Sequence, residues 1–300
     1  MTELDFLTPI IIGCGYVGRE ICPLLETNHQ SPVCIVRTQE SLSRLTSKGR
    51  TAFVTDLDTA PLAIDTDKIP IHNNQIYYFA PPSSCDDNDH RMANFISICQ
   101  SHRPKKIVYI STSGVYGDCQ GRVVNEETNL SPITSRAKRR VNAEQLLINY
   151  CNQYDCSYVI LRVGGIYGAE RLPIHRLNKI TVICPDEAPS SNRVHVIDLA
   201  RICYRAMNGS VTNEIINVSD GHSTSMTDYY YKIADLAGVP RPRCVPMSQA
   251  NKELSPAMLS FVKESRQLSV EKMNSLLQPE LLFPNLDSGL QDCFHKLNSM

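Results

Sequence analysis

The stretch that most constrains the fold is Pro9–Arg19, Pro-Ile-Ile-Ile-Gly-Cys-Gly-Tyr-Val-Gly-Arg. Three β-branched residues, Ile10 to Ile12, run directly into Gly13, Gly15 and Gly18. An apolar run this short, bounded by glycine, reads as a strand buried on both faces of a parallel sheet. The glycines then take separate tasks. Gly13 permits a tight turn, Gly15 lets a pyrophosphate approach the backbone, and Gly18 lets the following helix pack closely on the strand. That helix begins at Tyr16 and Val17, carries Ile21, Leu24 and Leu25 on one face, and points its N-terminal amides at the phosphates. A ligand-free glycine turn is the competing reading. The strand before the motif and the amphipathic helix after it favour dinucleotide binding.

Apolar strands alternate with helical patterns through the first two-thirds of the chain, as in a doubly wound α/β sheet. Strands are expected at Val33–Val36, Ala52–Thr55, Gln75–Phe79, Lys106–Ile110 and Ser157–Leu161, with helices near Arg91–His102 and Thr134–Tyr150. Residues 58–74, with Pro61 and Pro70, read as a loose connection or a short helix. Past residue 163 the elements shorten: a strand at Arg193–Val196, a helix at Ile197–Met207, a strand at Glu214–Val218, and helices at Met226–Leu236 and Ser269–Leu277. The expected arrangement is a dinucleotide-binding domain over residues 1–165 and a smaller mixed lobe over 166–300, interleaved with it.

Twelve cysteines contain no Cys-x-x-Cys pair, and several lie in apolar runs (Cys14, Cys34, Cys99, Cys203), where cysteine acts as a small buried hydrophobe. Neither a disulfide scaffold nor a metal site is expected. A net charge of −1 gives no electrostatic reason for a nucleic-acid or membrane partner. The start, Met1-Thr-Glu-Leu-Asp5, has no hydrophobic signal core, and no run approaches the ~18 apolar residues of a membrane span. A cytoplasmic protein is expected.

Four segments in order carry a family resemblance: Gly13-Cys-Gly-Tyr-Val-Gly18, Tyr109-Ile-Ser-Thr-Ser-Gly-Val-Tyr-Gly117, Leu161-Arg-Val-Gly-Gly-Ile-Tyr-Gly168 and Asn192-Arg-Val-His-Val-Ile-Asp-Leu199. With these the chain resembles the short-chain dehydrogenase/reductase superfamily, in its extended and atypical branch of NAD-dependent epimerase/dehydratase-like proteins. The resemblance implies a Rossmann-type fold, an NAD(P) cofactor, a small-molecule alcohol, ketone or nucleotide-sugar substrate, and a homodimer built from two helices per subunit. By position, Thr112 matches the hydroxyl that contacts the substrate oxygen, with Ser113 beside it. Asp56 and Leu57 match the pair beside the adenine, Ala80 and Pro81 the segment lining the middle of the cofactor, and Arg171 an arginine bordering the substrate.

The chain departs from that family at the chemistry. The family's Tyr-x-x-x-Lys dyad aligns, through Glu144, with Arg136 and Arg140, and residues 117–149 contain no tyrosine. A guanidinium does not deprotonate in proteins, so neither arginine replaces the phenol as acid/base. Tyr116, Tyr167 and Glu144 are the substitutes in the sequence, each with a structural role as the competing reading. Arg136, Lys138, Arg139 and Arg140 place four cations at a helix start, where positive charge is unfavourable without a negative partner. Either Glu126, Glu127 or Glu144 neutralises them, or they hold an anionic ligand; both readings stay open here.

The leading functional reading is an oxidoreductase or epimerase-like enzyme with a non-standard proton-transfer group. The alternative is a cofactor-binding protein that has lost catalysis and acts in regulation. The second strand ends in Arg37-Thr38-Gln39 rather than in the acid that takes a ribose 2′-hydroxyl. Arg37 suits a 2′-phosphate, so NADP is expected over NAD. The dimer is expected through Met92, Phe95 and Cys99 on one helix and Val141, Leu147 and Ile148 on the other.

Overall fold

The computed structural model describes residues 7–59, 64–65 and 67–299. The Met1–Asp5 start and Pro61 lie outside the described residues. Seven strands form one sheet: β1 (Pro9–Ile12), β2 (Val33–Val36), β3 (Thr51–Val54), β4 (Gln75–Tyr78), β5 (Lys106–Thr112), β6 (Ser157–Val163) and β7 (Glu214–Val218). Their order is β7-β6-β5-β4-β1-β2-β3. β1 pairs in parallel with β2 and β4, β2 with β3, and β4 with β5. This is the Rossmann-type doubly wound sheet that the alternating pattern predicted.

Ile10, Ile11 and Ile12 have no exposed surface, as a strand covered on both faces requires. The strand order reverses between β1 and β4. A reversal of this kind opens a crevice beyond the C-terminal strand ends, here just after Ile12 and Tyr78. The helices named below are α1 (Tyr16–Thr27), α2 (Gln39–Thr46), α3 (His90–Cys99), α4 (Ser135–Tyr154) and α5 (Val196–Asn208).

The chain divides into two compact units. The first holds the residues up to Thr112, Ser135–Arg162 and Leu199–Ile216; the second holds Ser113–Thr134, Val163–Asp198 and the residues from Asn217 onward. In the first unit, Met92, Phe95 and Cys99 of α3 pack with Leu147 and Tyr150 of α4 and with Tyr78 and Tyr109 of the sheet. Met92, Phe95, Cys99 and Leu147 are all fully buried. Met92, Phe95, Cys99 and Leu147, four of the six residues expected to face a second subunit, therefore lie on the inner faces of their helices, while Val141 and Ile148 are half-buried.

In the second unit, Arg193–His195 pairs with Gly165–Tyr167, and Arg243–Val245 with Thr181–Ile183, both in parallel. A helix over Leu286–Asn298 was not expected from the sequence. It starts after Pro284, where the Asn285 carboxamide accepts the Ser288 N–H at 2.9 Å. Leu286, Leu290 and Cys293 then pack on Tyr167, Tyr229 and Ile233, so this tail helix is part of the second unit's core.

Candidate functional site

β1 ends by turning through Gly13 at φ +83, a conformation that L side chains rarely adopt. A Cβ on Gly13 would come within 2.6 Å of the Ala80 nitrogen, so the first glycine lets the loop and the segment after β4 close on each other. On Gly18 a Cβ would meet Ile11 at 3.0 Å and the Cys14 sulfur at 3.2 Å, which fixes how closely α1 lies on β1. Gly15 is different. A Cβ there would meet nothing nearer than the Gly13 carbonyl at 3.9 Å, so the space above it is open. Gly15 also occupies the N-cap of α1 without any side-chain cap, and the first turn of α1 has no acid. The amides at Tyr16, Val17 and Gly18 thus begin a helix whose dipole faces the open side of the loop. Val17 itself is buried and offers only its backbone. This set fits the pyrophosphate of a dinucleotide.

Beside the loop lies a cleft of about 230 Å³, within the first unit. Its walls are Gly13, the last residue of β2 (Val36) with Arg37 just after it, the residues after β3 (Thr55, Leu57), Ala80 and Pro81 after β4, and Arg91 from α3. Five residues singled out in the sequence (Gly13, Arg37, Leu57, Ala80, Pro81) meet here. Asp56 is exposed, and its carboxylate accepts the Asp58 N–H at 3.0 Å.

Arg91 was not expected here. Its guanidinium grips Asp58 through two hydrogen bonds of 2.7 and 2.5 Å and donates to the Pro81 carbonyl at 2.9 Å. The Asp58 carboxyl is held below its ordinary range, first by the Arg91 hydrogen bonds, against some desolvation, with Arg37 adding to the effect. Residues 33 apart gave no local sign of this pairing.

The other group of expected residues surrounds β5 and α4. Thr112 is the last residue of β5, and Arg136 is exposed on the first turn of α4. Arg140, one turn after Arg136 on the same face, donates to the Tyr109 hydroxyl at 3.0 Å and to the Ile110 carbonyl at 2.9 Å. It ties α4 to β5. Lys138 pairs with Asp87 at 2.9 Å, and Arg139 donates to the Asp86 carbonyl at 2.8 Å. Lys138, Arg139 and Arg140 are therefore held by the Asp86–Asp87 loop and by β5. Glu144 instead takes the Ser111 hydroxyl and the Arg162 guanidinium, the latter at 2.8 Å.

The candidate acid/base substitutes are all interior. Tyr116 is 1% exposed and donates to the Asn217 carboxamide oxygen at 2.7 Å. Tyr167 is 2% exposed, and burial pushes its phenol far up. Glu144 is 3% exposed and committed to Arg162.

Ser113 is buried and opens a 3-10 turn at Ser113–Tyr116, and Arg171 is exposed at the end of the turn Ala169–Arg171; both belong to the second unit.

His195, also in the second unit, is buried against Phe283 (ring centroids 4.2 Å apart) with Cys293 Sγ at 3.5 Å from Nε2. Burial holds its imidazole down at about 4. Asp220 is pushed up by burial to about 6. These two oppose each other. Against an ordinary value of about 6.5 for an unfolded imidazole, the unfolded chain binds more protons between about pH 4 and 6.5, so His195 costs stability as pH falls. Asp220 in the folded protein binds a proton more readily than an unfolded carboxyl, so it adds stability over nearly the same fall. Together the two groups are expected to contribute almost no net change in stability between about pH 4 and 6. His195→Gln should then expose a gain toward acid, and Asp220→Asn a loss, each up to about 3 kcal/mol across the window. Urea midpoints against pH decide it; parallel profiles for all three proteins would contradict the assignment.

Over 161 residues the chain is 26% identical to the uncharacterized UDP-glucose epimerase YtcB of Bacillus subtilis (strain 168), a match covering 50% of this chain and 51% of that protein. The chain thus spans about half the length of this curated relative. A conserved protein of unknown function from Silicibacter pomeroyi DSS superimposes with a TM-score of 0.81 at 24% identity, over 97% of this chain and 99% of that one. MoeE5 in complex with UDP-glucose and NAD superimposes with a TM-score of 0.77 at 18% identity, over 97% and 99% of the two chains. Among the described residues no helix is long and apolar enough to cross a membrane. The sequence model of the NAD dependent epimerase/dehydratase family matches residues 10–219, from the first residues of β1 through the end of β7, and the chain belongs to that family.

Proposed function

We propose that the protein binds a nicotinamide dinucleotide in the glycine-loop cleft, with NADP(H) preferred, and acts on a nucleotide-sugar type substrate by redox chemistry that does not use a Tyr-Lys dyad. The observation that carries the cofactor reading is the position of Arg37 at the wall of the cleft, where a family acid would otherwise receive the ribose hydroxyl. The cleft is smaller than the ~300–1,000 Å³ of a full small-molecule site, which suits one end of a dinucleotide while the pyrophosphate lies over Gly15. YtcB and MoeE5 support the substrate class by what their names and bound ligands state.

A bound nicotinamide supplies hydride transfer. The chain itself supplies Thr112 as a hydroxyl to orient a substrate oxygen, and Arg136 as a fixed positive charge that stabilises an oxyanion without exchanging its proton. The interior positions of Tyr116, Tyr167 and Glu144 favour a second reading, in which the protein binds cofactor and ligand without turnover. Assay of NADP(H)- and NAD(H)-linked conversion over a nucleotide-sugar panel separates the two. Turnover supports the first; tight cofactor and ligand binding with no turnover supports the second.

The cofactor preference has its own test. Arg37→Ala is expected to weaken NADPH binding by about 10- to 100-fold, the scale of a lost charge-assisted phosphate contact, and to leave NADH binding nearly unchanged. Fluorescence titration of both cofactors measures this. Equal affinity for NADH and NADPH in the unaltered protein, or unchanged NADPH affinity in the variant, would overturn the preference.

A further inference from the structure

The twelve cysteines are unevenly placed. Nine are buried, Cys85 is exposed, and Cys184 and Cys244 are half-buried. The last two also face each other. Cys184 directly follows the strand Thr181–Ile183, Cys244 lies in the strand Arg243–Val245, and the two strands pair in parallel with Cys244 opposite Val182. Side chains two apart on a strand share a face, so Cys184 falls on the same side as Cys244, on the diagonal. Its own N–H donates to the Val245 carbonyl at 2.9 Å, which fixes it there. The two sulfurs are 2.7 Å apart, closer than the Cys14–Cys22 and Cys22–Cys34 pairs. Cys14, Cys22 and Cys34 also cluster, with Cys22 at 3.9 and 3.8 Å from the other two, but all three are closed to solvent.

We propose that Cys184 and Cys244 are a peroxide-oxidisable dithiol, with Cys244 as the attacking sulfur and Cys184 as the resolving one, joined by oxidation into a reversible disulfide. The roles follow from the surroundings. The Cys244 thiol is held below its ordinary value by a hydrogen bond from Cys184 and a second from Tyr231. Tyr231 lies on the helix Met226–Ala237 and is itself covered by the Arg241 guanidinium at 4.9 Å from its ring centroid. Cys184 is pushed the other way, to about 11, first by the same Cys184–Cys244 hydrogen bond, with Glu187 and Asp186 adding their negative charge. The thiolate is the nucleophile, and a thiol that stays protonated serves as the partner.

The chemistry balances with a peroxide as oxidant. The Cys244 thiolate attacks one oxygen of hydrogen peroxide, the O–O bond breaks, and hydroxide leaves, giving a sulfenic acid. The Cys184 sulfur then attacks that sulfur, forms the S–S bond and releases water. Sulfur is oxidised and peroxide is reduced by the same two electrons. A thiol reductant reverses the link by exchange.

The test uses the full chain carrying Cys85→Ser, so that the exposed thiol cannot enter the reaction. Reduced protein is treated with one equivalent of hydrogen peroxide, alkylated, digested with trypsin and weighed. The fragments 180–193 and 244–252 each carry a single cysteine. The expected product is these two fragments joined with the loss of two hydrogen atoms, separated again by dithiothreitol. Cys184→Ser should leave Cys244 as a dimedone-reactive sulfenic acid, and Cys244→Ser should slow peroxide consumption at least about tenfold, since an unactivated thiol is a far poorer nucleophile. Both fragments recovered singly alkylated, a link to any other cysteine, or unchanged consumption in Cys244→Ser would overturn the proposal.

Discussion

Glu144→Ala is expected to destabilise the protein by about 3–5 kcal/mol, the cost of leaving a buried guanidinium without its counter-ion. Glu144 on α4 and Arg162 on β6 are each 3% exposed. The carboxylate receives Arg162 Nη2 at 2.8 Å and Nε at 3.3 Å, and the Ser111 hydroxyl of β5 donates to it as well. One side chain thus joins a helix to two neighbouring strands. Removing it strands two donors in the interior, each with a desolvation cost of its own. The expectation is therefore larger than for loss of a surface ion pair such as Arg44–Glu40, which is worth well under about 1 kcal/mol. The double change Glu144→Leu with Arg162→Met should recover most of the loss, because it removes the charge and its partner together. Urea midpoints of the two variants make the measurement. A single variant within about 1 kcal/mol of the unaltered protein would mean that solvent reaches Arg162 and the pair is not a buried one.

Glu144 also marks the limit of what the sequence discloses. Local patterns translate well. The run Ile10–Ile12 into glycine is a buried strand and a tight turn because β-branching, hydrophobicity and positive φ act within a few residues. Val33–Val36 and Gln75–Tyr78 are likewise strands at the expected places. Pairings between charges are a different matter. For the helix-start cations the sequence leaves two partners open, an anionic ligand or one of Glu126, Glu127 and Glu144. The structure brings Asp86, Asp87 and the β5 backbone to Lys138, Arg139 and Arg140, from residues about 30 to 50 positions away. Glu144 meets Arg162, which sits in an apolar strand where nothing local marks it as a partner. Arg91 is the same lesson at the cleft. Its helix was legible, and its inner face of Met92, Phe95 and Cys99 was legible as apolar, but whether that face meets a subunit or the sheet depends on distant residues. The tail helix Leu286–Asn298 was missed because Pro279 and Pro284 read as terminators, whereas a proline just before an asparagine cap also precedes a helix start.

Gly13→Ala and Gly15→Ala are expected to fail in different ways, and that difference separates what the loop needs to fold from what it needs to bind. At Gly13 the backbone sits at φ +83, and an added methyl group would lie 2.6 Å from the Ala80 nitrogen and 2.7 Å from its Cα. Both obstacles are backbone, which cannot rotate away. The left-handed conformation costs an L residue about 1–2 kcal/mol, and overpacking adds about 1–3. Gly13→Ala should therefore lose about 2–5 kcal/mol of stability along with dinucleotide affinity. At Gly15 the methyl group would meet nothing closer than 3.9 Å, so Gly15→Ala should lose clearly less stability than Gly13→Ala. Its methyl group would instead occupy the space above the uncapped start of α1, where the pyrophosphate must approach the amides. NADPH affinity should fall at least about tenfold, as when a close contact is replaced by a clash. Urea midpoints and cofactor titration on both variants give four numbers, and the pattern among them carries the result. Gly15→Ala binding NADPH as the unaltered protein does would show that the cofactor does not lie over this loop. Gly13→Ala folding with unchanged midpoint would show that β1 and the segment at Ala80 can part without cost, and the cleft would then have no rigid floor.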